Sequence, residues 1–173
     1  MDWQFYGFGE AGTAEMPDPD RRGFRTALGR YPTGVTVVTT RTPDGVAVGM
    51  TVNSFASVSL DPPLVLWSVG DDASCADVFA AAPRYVVNVL AADQEGLARR
   101  FALPEADRFD GVPTHPGLAD IPLIDGALTV LECRLETVYP GGDHRILLGR
   151  VERFATRGGK PLLFHEGMFD HLD

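Results

Sequence analysis

The sequence predicts a mainly β chain, an antiparallel barrel with short peripheral helices. Three observations support this: β-branched runs of strand length, hairpin-type turn chemistry between them, and no long helices alternating with strands as parallel pairing requires. At 173 residues, with 45% hydrophobic and 23% charged side chains, the chain has ordinary globular composition and room for one core.

Residues 1–20 read as an arm, interrupted by Gly7, Gly9, Gly12, Pro17 and Pro19. Trp3, Phe5, Tyr6 and Phe8 follow no period there, yet carry too much apolar area to leave in water. The arm is therefore expected to pack on the body or on a neighbouring subunit. The domain proper, 21–173, opens with a short helix over 21–30 that puts Phe24 and Leu28 on one face and stops at Tyr31-Pro32. The β-branched run 35–40, the turn Thr42-Pro43-Asp44-Gly45 and the run 46–51 make a hairpin. Residues 55–60 alternate as a strand, and Asp61-Pro62-Pro63 separates them from the apolar strand 64–69.

A helix over 73–81, capped by Asp71 or Asp72, ends at Pro83, and 85–90 is a buried strand. A second helix, capped by Asp93, carries Leu97 and Phe101 on one face with Arg99 and Arg100 beside them. Residues 104–125, rich in Pro, Gly and Asp, form a long loop, a feature that in compact domains is usually functional or interfacial. Strand 127–139 turns Leu131, Cys133 and Leu135 one way and Glu132, Arg134 and Glu136 the other. Pro140-Gly141-Gly142-Asp143 leads into strand 144–156, whose alternation slips near Gly149 as at a bulge, and 161–164 is a short last strand. About seven strands result.

A net charge of −9 and a pI near 4.8 argue against nucleic acid or an anionic membrane as partner, since both repel an acidic surface. Cys75 and Cys133 are too few for a disulfide framework and sit in apolar contexts as core filler; with no apolar signal segment, a reducing cytoplasm is the expected compartment. Lys160 is the one lysine among 15 basic side chains, a bias that carries no functional weight. A Gly-x-Ser-x-Gly elbow, a Gly-Lys-Ser/Thr phosphate loop and a Gly-x-Gly-x-x-Gly between strand and helix are all missing, which removes serine hydrolase, nucleoside triphosphatase and Rossmann dehydrogenase. His165, Glu166, Asp170 and His171 lack helical zinc spacing, so no metal is expected.

Three features remain. Pro32-Thr33-Gly34-Val35 is a turn presenting backbone and hydroxyl groups at the start of a buried strand. The segment from Gly49 to Leu64 alternates donors with packing residues, and all five serines, Ser54, Ser57, Ser59, Ser68 and Ser74, fall within 21 residues. Such a segment can hold a flat heteroaromatic ring by main-chain amides and a phosphate by hydroxyls, although exposed strand and turn positions also favour these residue types. Gly141-Gly142-Asp143-His144 places an acid and an imidazole at a strand edge.

Thr51-Val52-Asn53-Ser54-Phe55 through Asp61-Pro62-Pro63, then Val87-Asn88-Val89-Leu90, Arg100-Phe101-Ala102 and Gly142-Asp143-His144, resemble the flavin-reductase-like family in order and spacing. The resemblance runs from about Phe24 to Phe169. It implies a Greek-key, FMN-binding antiparallel split β-barrel, homodimeric, with a flavin (FAD or FMN) in a groove at the dimer interface. Backbone groups of Thr51, Val52, Asn53 and Ser54 would hold the isoalloxazine edge. Ser57, Ser59, the Pro32-Thr33-Gly34 turn and Ser74 would surround the ribityl and phosphate part. Arg100, beside Phe101, would pair with phosphate, and Gly142, Asp143 and His144 would form the nicotinamide site with His144 as catalytic contact and Phe164-His165-Glu166-Gly167 nearby. Asp71 and Asp72 stand where many relatives carry a basic residue, so FMN and FAD stay open.

The activity implied is hydride transfer from NADH, with NADPH as the alternative, to a flavin that is then supplied to a flavin-dependent monooxygenase. The other readings are a prosthetic flavin serving another reaction, a flavin-binding module, or a barrel binding something else. A nicotinamide site at Gly142-Asp143-His144 separates the first from the rest.

Overall fold

The computed structural model describes residues 18–104 and 107–172. In chain order its elements are α1 (Asp18–Gly29), β1 (Thr33–Gly34), β2 (Thr36–Arg41), β3 (Ala47–Val52), β4 (Ala56–Leu60), β5 (Pro63–Gly70), α2 (Ala76–Ala81), β6 (Arg84–Val89), α3 (Glu95–Ala102), β7 (Thr114–Pro116), β8 (Pro122–Ile124), β9 (Thr129–Pro140), β10 (His144–Thr156), β11 (Leu162–His165) and β12 (Met168–His171). Strand pairing is antiparallel throughout. The main sheet runs β3-β2-β6-β9-β10-β5-β4, with small sheets β1-β11-β12 and β7-β8.

The strands form antiparallel sheets as expected, and among the described residues no ladder joins the edge strands β3 and β4 to close the main sheet into a barrel. A side chain bridges the gap: Ser54 Oγ accepts the Ser68 N–H at 2.9 Å and donates to the Ser68 carbonyl at 3.1 Å. Both ends of the sheet still contribute to one core, in which Val52 of β3 joins Val65, Trp67 and Val69 of β5 and Phe79 of α2. Trp67 meets Phe79 and Tyr85 edge-on, at centroid distances of 4.9 and 5.8 Å.

A second core lies on the other side of β2, where Val35, Val37, Leu90, Ala98, Phe101, Ile124 and Leu162 pack together. Buried on both faces, β2 reads as a continuous β-branched run instead of an alternation. The slip expected near Gly149 is a register shift between Leu148 and Gly149. A Cβ there would lie 2.1 Å from Tyr85 Oη, so the aromatic core occupies the space a side chain would need.

Several expected boundaries change. Helix α1 begins at Asp18, inside the stretch read as an arm, while Trp3, Phe5, Tyr6 and Phe8 lie outside the described residues. Helix α2 begins at Ala76 without a side-chain cap. Asp71 instead pairs with Arg145. Asp93 does not cap α3; Gln94 Oε1 accepts the Ala91 N–H at 3.0 Å and its Nε2 donates to Asp125 O at 2.7 Å. The long loop contains β7 and β8, three residues each and too short to show a period. After β11 the two-residue turn Glu166-Gly167, both with positive φ, adds β12.

Glu132, on the opposite face of its strand from Cys133, is only 3% exposed. The turn at 117–121 covers it, and its carboxylate accepts the Leu118 N–H at 2.5 Å and Arg153 Nε at 2.7 Å.

Candidate functional site

Strand β3, the segment leading into α2, the end of α3 and the loop after it enclose a groove of two adjoining hollows, about 510 and 320 Å³. That size suits small molecules. Gly49, Ser74, Cys75 and Arg108 are on the walls of the larger one; Thr51, Asp72, Ser74, Cys75, Phe101 and Arg108 are on those of the smaller. Ser74, Cys75 and Arg108 form the shared wall.

Close approach of backbone and rings shapes this wall. A Cβ at Gly49 would lie 2.6 Å from the Phe101 ring and 3.1 Å from Phe109, so glycine lets that edge-on aromatic pair pack under the strand. The Arg108 guanidinium donates from Nη1 to Gly49 O at 2.6 Å, while its Nε is buried without a hydrogen-bond partner. Cys75 Sγ lies 3.6 Å from Met50 Sδ. Burial pushes the Cys75 thiol up, opposed by the Arg108 charge. Cys133, in the core, is pushed up to about 12 by burial. Both thiols are free.

The expected site residues fall into three groups. Thr51, Ser74 and Phe101 line the groove, but the Thr51 hydroxyl donates to Ala98 O at 2.8 Å, tying β3 to α3, and Phe101 is fully buried. Thr51 can therefore offer main-chain atoms more readily than its hydroxyl.

Gly142, Asp143 and His144 form the β9–β10 connection, which the bond from Asp71 N–H to Asp143 O at 3.0 Å draws onto the segment before α2. His144 Nδ1 is 2.7 Å from Asp143 Oδ1. A carboxylate only accepts, so Nδ1 carries the proton and Nε2 of the neutral ring is left as acceptor. A Cβ on Gly70 would touch Asp72 Oδ1 at 2.7 Å and His144 Nε2 at 3.7 Å, which puts the imidazole beside an acid that lines the groove. Arg145 faces away, held by Asp71 at 2.8 Å and Asp77 at 2.7 Å.

The remaining residues lie off the two hollows of this chain. Pro32, Thr33 and Gly34 lead into β1 against β11, where Thr33 Oγ1 is buried without a partner. Asn53 is exposed, Val52 is core, Ser54 closes onto Ser68, and Ser57 and Ser59 sit on edge strand β4. Arg100 donates from Nη2 to Asp107 O at 3.4 Å. Arg108 was missed by sequence reading; an arginine inside a Pro- and Asp-rich loop was the available signal.

The donor set fits a flavin. An unpartnered guanidinium nitrogen, a Ser74 hydroxyl and an extended β3 backbone surround a space of suitable volume. Among the described residues no group of three or more His, Cys, Asp or Glu could hold a metal ion.

A family model described as Flavin reductase like domain matches residues 28–173. FMN reductase (NADH) SmoA of Agrobacterium fabrum is 48% identical over 148 residues, covering 86% of this chain and 84% of that protein. The reductase subunit HsaB of a flavin-dependent monooxygenase from Rhodococcus jostii is 38% identical over 161 residues, 92% of this chain and 81% of that one. Among solved structures, the NADH:FAD oxidoreductase SgcE6 of Streptomyces globisporus, in complex with NAD and FAD fragments, superposes with a TM-score of 0.85 at 45% identity over 92% of this chain and 98% of that chain.

Proposed function

Since this chain belongs to the flavin reductase-like family, we propose that it is an NADH-dependent flavin oxidoreductase, passing hydride to FMN or FAD and supplying reduced flavin to a partner monooxygenase. The observation that carries this reading is the groove between β3 and the segment before α2, with the His144 turn at its rim.

The flavin supplies the hydride-accepting ring. The protein's task is to hold two flat rings in contact and exclude competing water, which needs positioning more than acid–base groups. In this assignment the backbone from Thr51, at the end of β3, to Ser54 holds one ring edge, and Ser74 lies on the polar tail. His144, oriented by Asp143, contacts the nicotinamide. NADH is favoured over NADPH because Arg145, the cation beside that turn, is already bound by Asp71 and Asp77.

The working unit in this reading is a homodimer. Pro32–Gly34, Ser57 and Ser59 lie off the hollows of their own chain, and a second copy would bring in a further wall to bury the ligand. The expected location is the cytoplasm; no helix among the described residues is long and apolar enough to cross a membrane.

Oxidation of NADH followed at 340 nm without flavin, with FMN and with FAD tests the activity. Consumption that requires added flavin and saturates with it is expected. Flavin binding without consumption of NADH or NADPH would replace this reading with a binding or prosthetic role. A monomeric mass at micromolar protein would remove the dimer.

A further inference from the structure

We propose that Arg108, assisted by Ser74, anchors the phosphate of the bound flavin, the role that sequence reading gave to Arg100; this rests on the flavin reading above. Arg108 is the one cationic side chain among the described residues lining the two hollows, and it belongs to both. Arg100 lines neither.

The guanidinium is fixed through one nitrogen and unpaired at another. Nη1 is engaged by Gly49 O, so the group cannot swing out freely, and Nε is buried with no hydrogen-bond partner. A buried donor left unpaired is costly, and one on a charged group more so, so the site gains most from an anionic acceptor. The side edge of a guanidinium presents two parallel N–H groups, which match two oxygens of one phosphate. Ser74, on the same shared wall, offers a hydroxyl.

The surrounding acids decide that the anchor is needed. Asp72 lines the smaller hollow and Asp107 the larger, so without Arg108 the groove presents only negative charge to a phosphate. A neutral ring edge would meet no such barrier. Loss of Arg108 should therefore act on phosphorylated flavins and spare riboflavin.

The test compares FMN and riboflavin binding to the full chain, by quenching of flavin fluorescence, for wild type, Arg108→Ala, Arg108→Lys and Ser74→Ala. Arg108→Ala is expected to weaken FMN by about 10- to 100-fold, as for a hydrogen-bonded charge pair, and riboflavin by no more than about twofold. Arg108→Lys should restore part of the FMN affinity, and Ser74→Ala should show a smaller loss confined to FMN. Retained riboflavin binding reports that the variants are folded. Equal loss of both ligands, or no change in either, would overturn the assignment. A wild-type chain that binds neither flavin would instead overturn the flavin reading itself.

Discussion

The Asn88 side chain accepts the Ile124 backbone N–H at 2.9 Å while donating to the Val37 carbonyl, also at 2.9 Å, so one fully buried carboxamide ties β8 to the centre of the sheet. Thr39 adds a second tie by donating to Pro122 O at 2.6 Å. These bonds hold the far end of the loop that carries Arg108. Asn88→Ala leaves a buried N–H and a buried carbonyl unpaired, and a loss of about 2–5 kcal/mol is expected. Urea unfolding measures it, and Asn88→Asp, which sets a buried carboxylate oxygen against the Val37 carbonyl, should cost at least as much at neutral pH.

Gly149 allows Tyr85 to lie against β10. The Cβ of Gly149→Ala would meet Tyr85 Oη at 2.1 Å, a backbone-to-ring clash that a packed core relieves only by moving. Overpacking of this kind costs about 1–3 kcal/mol. Thermal unfolding should show the loss, and adding Tyr85→Phe should recover part of it, because the hydroxyl is the clashing atom and has no hydrogen-bond partner.

His144→Ala should raise the apparent KM for NADH severalfold or more while flavin affinity changes little, since the imidazole stands at the rim, outside the Ser74–Arg108 wall. Asp143→Asn should act in the same direction but less, through loss of ring orientation. Steady-state kinetics at 340 nm decide this; unchanged NADH kinetics in His144→Ala removes it from the site.

Acid sensitivity has an identifiable source on the outer face of the sheet. Hydrogen bonds from Arg84 hold the Glu152 carboxyl below its usual 4.5, and Arg134 does the same for Glu136. A lowered carboxylate stabilises the fold above the unfolded-state value, and that contribution is lost as pH falls through the folded-state one. Stability should therefore drop below about pH 4.5, the ordinary carboxylate value, and Glu152→Gln should flatten the drop by lowering stability modestly at pH 7, where the ion pair contributes, while leaving stability at pH 3.5 nearly unchanged. Urea midpoints at pH 7 and pH 3.5 test it.

The parts of the fold legible in the sequence are those whose cause is local. The turn at Thr42 to Gly45 closes as read, with Thr42 Oγ1 accepting the Val46 N–H at 2.9 Å and Gly45 at φ 85°. The β-branched run at β2 and the slip at Gly149 were equally visible. The burial of Glu132 left no trace in the sequence, because alternation reports which way a side chain points and not what covers it. The cap of α2 was misread because Asp71 pairs with Arg145, and before α3 it is the Gln94 side chain that accepts a backbone N–H.

By itself, then, the sequence determined the strands, their turns, the glycines that mark close approach, and a set of site residues drawn from a recognisable pattern. Only the tertiary structure decided that the sheet stays open between β3 and β4, and that Arg108 reaches Gly49 across 59 positions of chain. The physical reason is range. Backbone preference and turn chemistry act over a few residues and leave a trace in composition, whereas a groove is made by segments distant in sequence, whose meeting depends on the packing of the whole core.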